Sequence, residues 1–166
     1  MVLKVSQIVD FNQINRDKWV ARVAERLPPG TRVLDVGAGD CRYRKLFAHC
    51  KYETQDFCKY EGTKEGVLAD EWKYGQIDYV SDIKSIPVPN NSFDAVLCTE
   101  VLEHVPEPIL AVKEFNRILK VGGSLFISAP LGSGQHQQPY HYYGGFTPHF
   151  YQKFLQQFEF EIISIE

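Results

Sequence analysis

Three carboxylates, Asp35, Asp56 and Asp82, stand at the ends of three short strand-like runs, and the first is followed by Gly37-Ala38-Gly39. An ionised carboxylate accepts hydrogen bonds and donates none. Three in one place would select a ligand rich in hydroxyls, amines or positive charge. Arg32-Val33-Leu34-Asp35-Val36-Gly37-Ala38-Gly39-Asp40 reads as an apolar strand, an acid near its end and a tight turn, with a helix-like run from Arg42 to Ala48 behind it. Glycine is needed where backbone turns sharply or meets a ligand closely. A strand, a glycine turn and a helix in that order make a ligand crevice at the carboxyl end of a parallel sheet.

Asp35 narrows the ligand. A dinucleotide-binding turn carries a third glycine three residues after the second, so that N–H groups meet the pyrophosphate; Arg42 stands there instead. A nicotinamide dehydrogenase falls behind on that spacing. Asp35 would also sit badly beside a phosphate. It suits a ligand with a positive end, and S-adenosylmethionine (SAM) has an α-ammonium, a sulfonium and no phosphate. In a doubly wound sheet the ends of the first three strands share one crevice. There Asp56 can take both ribose hydroxyls and Asp82 the exocyclic amine of adenine. Asp35, with the turn amides, can hold the amino-acid end.

A second group of reactive side chains lies further along. Glu100-x-x-Glu103-His104 puts two carboxylates and an imidazole on one turn, a set able to ligate a hard divalent ion. The competing reading is that Glu103 and His104 position loops, and no metal is the expectation. Residues 130–147 form a loop rich in Gly, His, Gln and Tyr on the crevice side. The loop is either part of an acceptor pocket or a surface segment whose tyrosines pack on the core. Methyl transfer from a sulfonium releases a neutral leaving group, so the protein must mainly hold the nucleophile close and in line. A hydroxyl acceptor also gains from a base. His104, His136 and His141 are the candidates, because imidazole titrates near neutrality.

The positioning elements follow from periodicity. Residues 1–10 are a mixed leader. Trp19, Val23 and Leu27, with Val20 and Ala24 beside them, give a helix from about Phe11 to Leu27, stopped by Pro28-Pro29-Gly30. It caps the core or serves as a lid. Lys51–Asp56 is a second strand, 57–76 a helix or excursion, and Ile77–Val80 a third strand. Phe93–Cys98 is a nearly continuous apolar fourth strand, as buried parallel strands are. An amphipathic helix opens at Pro108 and closes at Gly122-Gly123; Ser124–Ala129 is the fifth strand. Thr147-Pro148 starts a helix to about Gln157, and Phe158–Ile165 alternates as a sixth strand. Alternating strands and helices imply an α/β fold with a doubly wound, Rossmann-like, mostly parallel sheet. The domain reading is a helical cap over 1–30 and one ligand-binding domain over 31–166.

Composition excludes several classes. At 166 residues the chain is long enough for one substantial core. A net charge of −3 gives no footprint for DNA or RNA, and Arg42, Arg44 and Lys45 read as a solvated helix face. No run approaches the length of a membrane span. The four cysteines include no C-x-x-C pair, which points to reduced thiols in a cytoplasm.

The ordered set Val33-Leu34-Asp35-Val36-Gly37-Ala38-Gly39, Asp56, Asp82-Ile83 with Pro87, Asn91-Ser92-Phe93-Asp94-Ala95-Val96, Glu100-Val101-Leu102-Glu103-His104-Val105 and Leu119-Lys120-Val121-Gly122-Gly123 resembles the class I SAM-dependent methyltransferases, type 11 group. The resemblance implies a SAM site of Asp35, Gly37, Ala38, Gly39, Asp56, Phe57, Asp82 and Ile83, with Thr99 and Glu100 near the methionine half. Many members carry a glycine where this chain has Cys41. Members also close with an antiparallel seventh strand, which the chain ends too early to supply, so the exposed sheet edge invites a homodimer. Small-RNA 2′-O-methyltransferases and ubiquinone-pathway O-methyltransferases use a similar Glu-x-x-Glu-His segment, with a further His in the former; Glu100, Glu103 and His104 are the matching residues here, and His136 or His141 could supply the further His. The expected activity is methyl transfer from SAM to a small hydroxylated metabolite or sugar, leaving S-adenosylhomocysteine (SAH). The alternatives are a metal-assisted O-methyltransferase on RNA ends or catechol-like rings, and a SAM-binding module without catalysis.

Overall fold

The apolar run Val33-Leu34-Asp35-Val36 can bury both its faces only in the middle of a sheet, and that is where it lies. The computed structural model describes residues 11–62 and 72–165. In it α1 (Phe11–Arg26) leads into β1 (Arg32–Val36), which pairs in parallel with β2 (Lys51–Asp56) on one side and β4 (Phe93–Thr99) on the other. β3 (Tyr79–Val80) flanks β2, and β5 (Leu119–Ser128) flanks β4, giving the order β3-β2-β1-β4-β5, all parallel. α2 (Pro108–Ile118) connects β4 to β5, and α3 (Pro148–Gln157) follows the long loop after β5.

Successive strand residues point to opposite faces, and the two faces carry separate cores. Val33, Ala95 and Leu97 pack with Val20, Val23 and Ala24 of α1 and with Tyr43 and Phe47. Leu34, Val36, Val96 and Cys98 pack on the other face with Ala111, Phe115 and Ile118 of α2. Glu114 of α2 is buried but compensated. Its Oε1 accepts the Ile86 amide at 2.7 Å and the Arg117 guanidinium at 2.7 Å. That bond fastens the β3–β4 loop to the helix.

The structure departs from the sequence reading in four places. Residues 40–49 are consecutive tight turns, not a helix. Cys41 enters at φ +60°, and the amides of Cys41, Arg44 and Leu46 reach back three residues, to Ala38, Cys41 and Tyr43. An α-helical ladder, which needs four-residue spacing, therefore does not start. Arg42 and Lys45 are exposed on these turns, while Arg44 Nη2 donates to Gln76 O at 2.8 Å. β3 is shorter than Ile77–Val80. The Asp78 amide still donates to Thr54 O at 3.1 Å, but the return bond is taken by a side chain: Asp78 Oδ2 accepts both the Thr54 amide and the Thr54 hydroxyl at 2.9 Å.

β5 begins at Leu119, directly after α2, and contains Gly122-Gly123 instead of following them. Leu119 pairs with Phe93 but Ser124 with Ala95, so the glycine pair sits in a bulge. Gly122 has φ +77°, and a side chain at Gly123 would meet Asp94 O at 3.0 Å. Finally, residues 158–165 form no strand. The Phe160 amide turns back onto Leu155 O at 3.1 Å, and Asn116 Nδ2 donates to Phe158 O at 2.7 Å. These bonds turn the segment onto α2 and α3 instead of along β5, which is left as an edge of the sheet among the described residues. The leader 1–10 and most of the central part of 57–76 lie outside the described residues.

Gly37 illustrates how tightly β1 ends. It has φ +70°, and an added side-chain carbon would overlap the Val101 methyls, whereas the same addition at Gly30 (φ +81°) meets nothing within 4 Å. Left-handed strain alone costs about 1–2 kcal/mol. Gly37→Ala is therefore expected to lower stability clearly more than Gly30→Ala in urea unfolding. Equal losses would show that Val101 yields freely.

Candidate functional site

The supply of hydrogen bonds at the end of β1 decides what the crevice can hold. The Gly37 and Ala38 amides both donate to Gln55 O, at 2.8 and 3.1 Å. The Gly39 amide donates to Asp56 Oδ2 at 2.9 Å. Each amide has one proton, so these three are spent on β2 and not offered to a ligand's amino-acid end. This corrects the expectation that the turn amides bind. A turn with its donors spent presents acceptors, which favours a cationic ligand end over a phosphate.

Above the turn lies a cleft of about 750 Å³. Asp35, Asp56 and Asp82 all line it, as do Gly37, Ala38 and Gly39. Phe57, Ile83, Thr99 and Glu100 line it too. The three acids differ in environment. Asp35 is buried and accepts the Tyr52 hydroxyl; burial pushes it up to about 7. Asp56 is buried as well, and its Oδ1 accepts the Cys58 amide at 3.0 Å. With one internal bond to each oxygen, Asp56 keeps a lone pair on each for a ligand. Asp82 is exposed, its Oδ1 closing a turn with the Lys84 amide at 2.9 Å.

α1 contributes residues the sequence reading did not assign. Gln13 and Arg16 line the cleft while Val20, Val23 and Ala24 on the same helix are in the core. One helix therefore caps the core with one part and borders the cleft with another. Arg16 Nη1 stands 3.2 Å from Glu100 Oε2, and Ser128 Oγ donates to Glu100 Oε1 at 2.9 Å. Glu100 itself has φ +53°, an uncommon backbone for glutamate. A signal for Arg16 existed: it precedes Val20 by four and Val23 by seven, so a cation shares the apolar face. Trp72 and Tyr74, at the end of the β2–β3 excursion, and Tyr140 of the late loop also line the cleft. Only tertiary folding brings these rings together, and no local pattern marks them.

The histidines converge. His104, in the 3₁₀ turn Leu102–His104, lines the cleft; His136 and His141 stand behind it, with ring centroids 4.8 and 5.8 Å from its own. His104 Nδ1 lies 2.6 Å from Tyr140 O, and His136 Nδ1 lies 2.9 Å from Gly134 O. A carbonyl only accepts, so each Nδ1 carries a proton. Burial holds His104 down to about 4, neutral at pH 7, and pushes Glu103 up to about 7. Among the described residues, ligand atoms of Glu103, His104 and His136 lie within 4.8 Å of one another. Glu100 is not in that group, because Arg16 and Ser128 hold it elsewhere. Of the alternative metal set, Glu100, Glu103 and His104 with His136 or His141 as a further ligand, the structure gathers Glu103, His104 and His136 and leaves Glu100 apart. Glu103 Oε2 is buried with no hydrogen-bond partner among the described residues.

The raised Asp35 gives a pH signature. The ordinary value is 3.8 and the folded value about 7, so the folded chain keeps a proton that the unfolded chain has released. That contribution to stability is present at low pH and lost as pH rises from about 4 to 7. Tyr52, Asp56, Arg44 and Asp40 are the groups that act on it. Asp35→Asn is expected to be more stable than wild type at pH 8 by about 1–3 kcal/mol, with the gap narrowing below pH 7 and closing near pH 4. Urea midpoints across that range check it; a gap independent of pH would refute the assignment.

With the geometry in place, comparison with known proteins is informative. Residues 34–127 match the family described as "Methyltransferase domain". The ubiquinone biosynthesis O-methyltransferase of Xanthomonas campestris pv. campestris (strain B100) is 37% identical over 121 residues, covering 71% of this chain and 49% of that protein. The chain thus spans about half the length of the curated relatives it matches. Phosphoethanolamine N-methyltransferase 2 of Haemonchus contortus, solved in complex with SAM, superposes with TM-score 0.60 at 16% identity, covering 87% of this chain and 36% of that one. The (4+2)-cyclase SpnF superposes with TM-score 0.60 at 22% identity, covering 86% and 57%. These two likenesses bear on the fold alone. The family match covers more than half of the sequence, and its residues include the glycine turn and the Glu100–His104 segment: the chain belongs to the class I SAM-dependent methyltransferases, type 11 group.

Proposed function

We propose that the cleft binds SAM and that the chain transfers its methyl group to a hydroxyl of a small acceptor, with SAH as product. The observation that carries this reading is the meeting of three carboxylates around a glycine turn whose amides are already bonded. That arrangement suits a hydroxylated, amine-bearing cation. In this reading Asp56 accepts the ribose hydroxyls, and Asp82 accepts the adenine amine between Phe57 and Ile83. Asp35 attracts the ammonium. Arg16 takes the carboxylate of the methionine end, exchanging its contact with Glu100. When bound, SAM supplies an electrophilic methyl on positive sulfur. The relatives named as O-methyltransferases favour oxygen as the acceptor atom. His104, at the cleft wall with its Nε2 lone pair available, receives the proton from the acceptor hydroxyl.

A second reading is favoured by the Glu103–His104–His136 group. Its ligand atoms lie within 4.8 Å, and a buried carboxylate oxygen is left without a partner. Both imidazoles are oriented by carbonyls at Nδ1, the outer support that ligating histidines commonly have. In this version the residues hold a divalent cation, which would make the acceptor hydroxyl more acidic. Two imidazoles with one carboxylate suit manganese, cobalt or zinc better than magnesium.

Calorimetric titration tests both. SAM and SAH should bind the wild-type chain, and Asp56→Asn should weaken SAM by about 10-fold or more, the weight of a charged hydrogen bond. No binding by wild type, or binding indifferent to Asp56→Asn, would sink the cofactor assignment. Mn²⁺ titrated alone should bind wild type and fail to bind His136→Ala. Equal heats from both would leave the base reading of His104 standing without the metal.

A further inference from the structure

Trp72, between β2 and β3, lays its indole on the glycine turn. A side-chain carbon placed on Gly39 would stand 3.0 Å from Trp72 Cζ2 and 3.6 Å from Cη2. Gly39 is the residue whose amide is held by Asp56 Oδ2 at 2.9 Å. The indole therefore lies about one residue's width from the carboxylate assigned to the ribose. Tyr60 and Tyr74 form T-shaped pairs with it, with centroids 5.5 and 6.1 Å away. Tyr74 Oη accepts the Tyr60 amide at 2.9 Å, which ties the two braces together. Despite this bracing Trp72 keeps 38% of its surface exposed, and it lines the cleft. A large apolar ring fixed in place and left partly in water is a preformed wall for whatever docks beside it.

The chemistry of that wall is selective. An indole face carries the negative end of the ring quadrupole and attracts cations, more strongly than tyrosine or phenylalanine does. Asp35, Asp40 and Asp56 line the same cleft and add to the preference for positive charge. SAM and SAH differ by one methyl and by the charge on sulfur. We propose that Trp72 is a specificity residue that holds the positive sulfur of the cofactor against its indole, so that the site prefers SAM to its neutral product. The inference rests on the cofactor reading above and goes beyond it: it assigns the discrimination between the two forms, and hence easy product release, to one side chain.

The experiment is calorimetric titration of wild type, Trp72→Phe and Trp72→Leu with SAM and with SAH separately. Wild type should bind SAM more tightly than SAH. Trp72→Leu should weaken SAM by about 3- to 30-fold, the span of a cation–π contact from exposed to desolvated, and change SAH much less. Trp72→Phe should keep part of the preference, and it decides the matter if the leucine variant does not fold. An equal loss for both ligands, or an unchanged SAM-to-SAH ratio, overturns the proposal and leaves Trp72 a wall of shape only. Binding of neither ligand by wild type overturns the cofactor reading and this inference together. Binding of both with an unchanged ratio in the variants overturns this inference alone.

Discussion

The end of β2 holds the end of β1. Gln55 O accepts two successive amides and the Asp56 carboxylate accepts the third, so Gly37, Ala38 and Gly39 are stitched in order to the neighbouring strand. Parallel pairing of Val36 with Gln55 sets the register that makes this possible. A slip of one residue would turn every side chain of β2 to the other face. Asp56 would then leave the cleft, and the Gly39 amide would lose its acceptor. Fold and site thus share one seam, and the carboxylate that closes the turn is the one offered to the ligand.

That seam sets the electrostatic character of the cleft. With donors consumed inside the protein, carboxylates and carbonyls dominate, and the compensating charge must come from elsewhere. Arg16 supplies part of it from α1, standing 3.2 Å from Glu100 Oε2, and Arg42, Lys59 and Lys84 line the cleft as well. Buried carboxylates that lack partners carry a desolvation cost. Asp35 meets it with the Tyr52 hydroxyl and Glu103 by a preference for its protonated form. Both are groups whose surroundings ask for a positive neighbour.

Much of this was legible in the sequence because it is local. β1, β2, β4 and α2 follow from apolar runs and helical spacing. The three acids share a cleft because each ends a strand of one parallel sheet, and strand ends in such a sheet are neighbours. What was not legible depends on pairing or on distant contacts. Residues 42–48 have helical composition, yet the left-handed Cys41 starts a run of three-residue turns. Phe158–Ile165 alternates well enough for a strand, but alternation cannot supply a partner ladder. Gly122-Gly123 looked like a helix stop and is a bulge, since the register of β5 against β4 is invisible in either strand alone. His136 joins Glu103 and His104 across more than thirty residues of chain; the resemblance offered His136 or His141 as the further ligand, and only the fold chooses between them.

The helix α1 spans Phe11–Arg26, and its two halves face different surroundings. Val20, Val23 and Ala24 are packed under the sheet, while Gln13 and Arg16 border the cleft. A rigid rod anchored at one end in the core cannot fray at the other without loosening what it crosses. Occupancy of the cleft would therefore be felt as slower backbone amide exchange along the first turns of α1, and ligand concentration would enter the folding equilibrium of the whole domain by mass action.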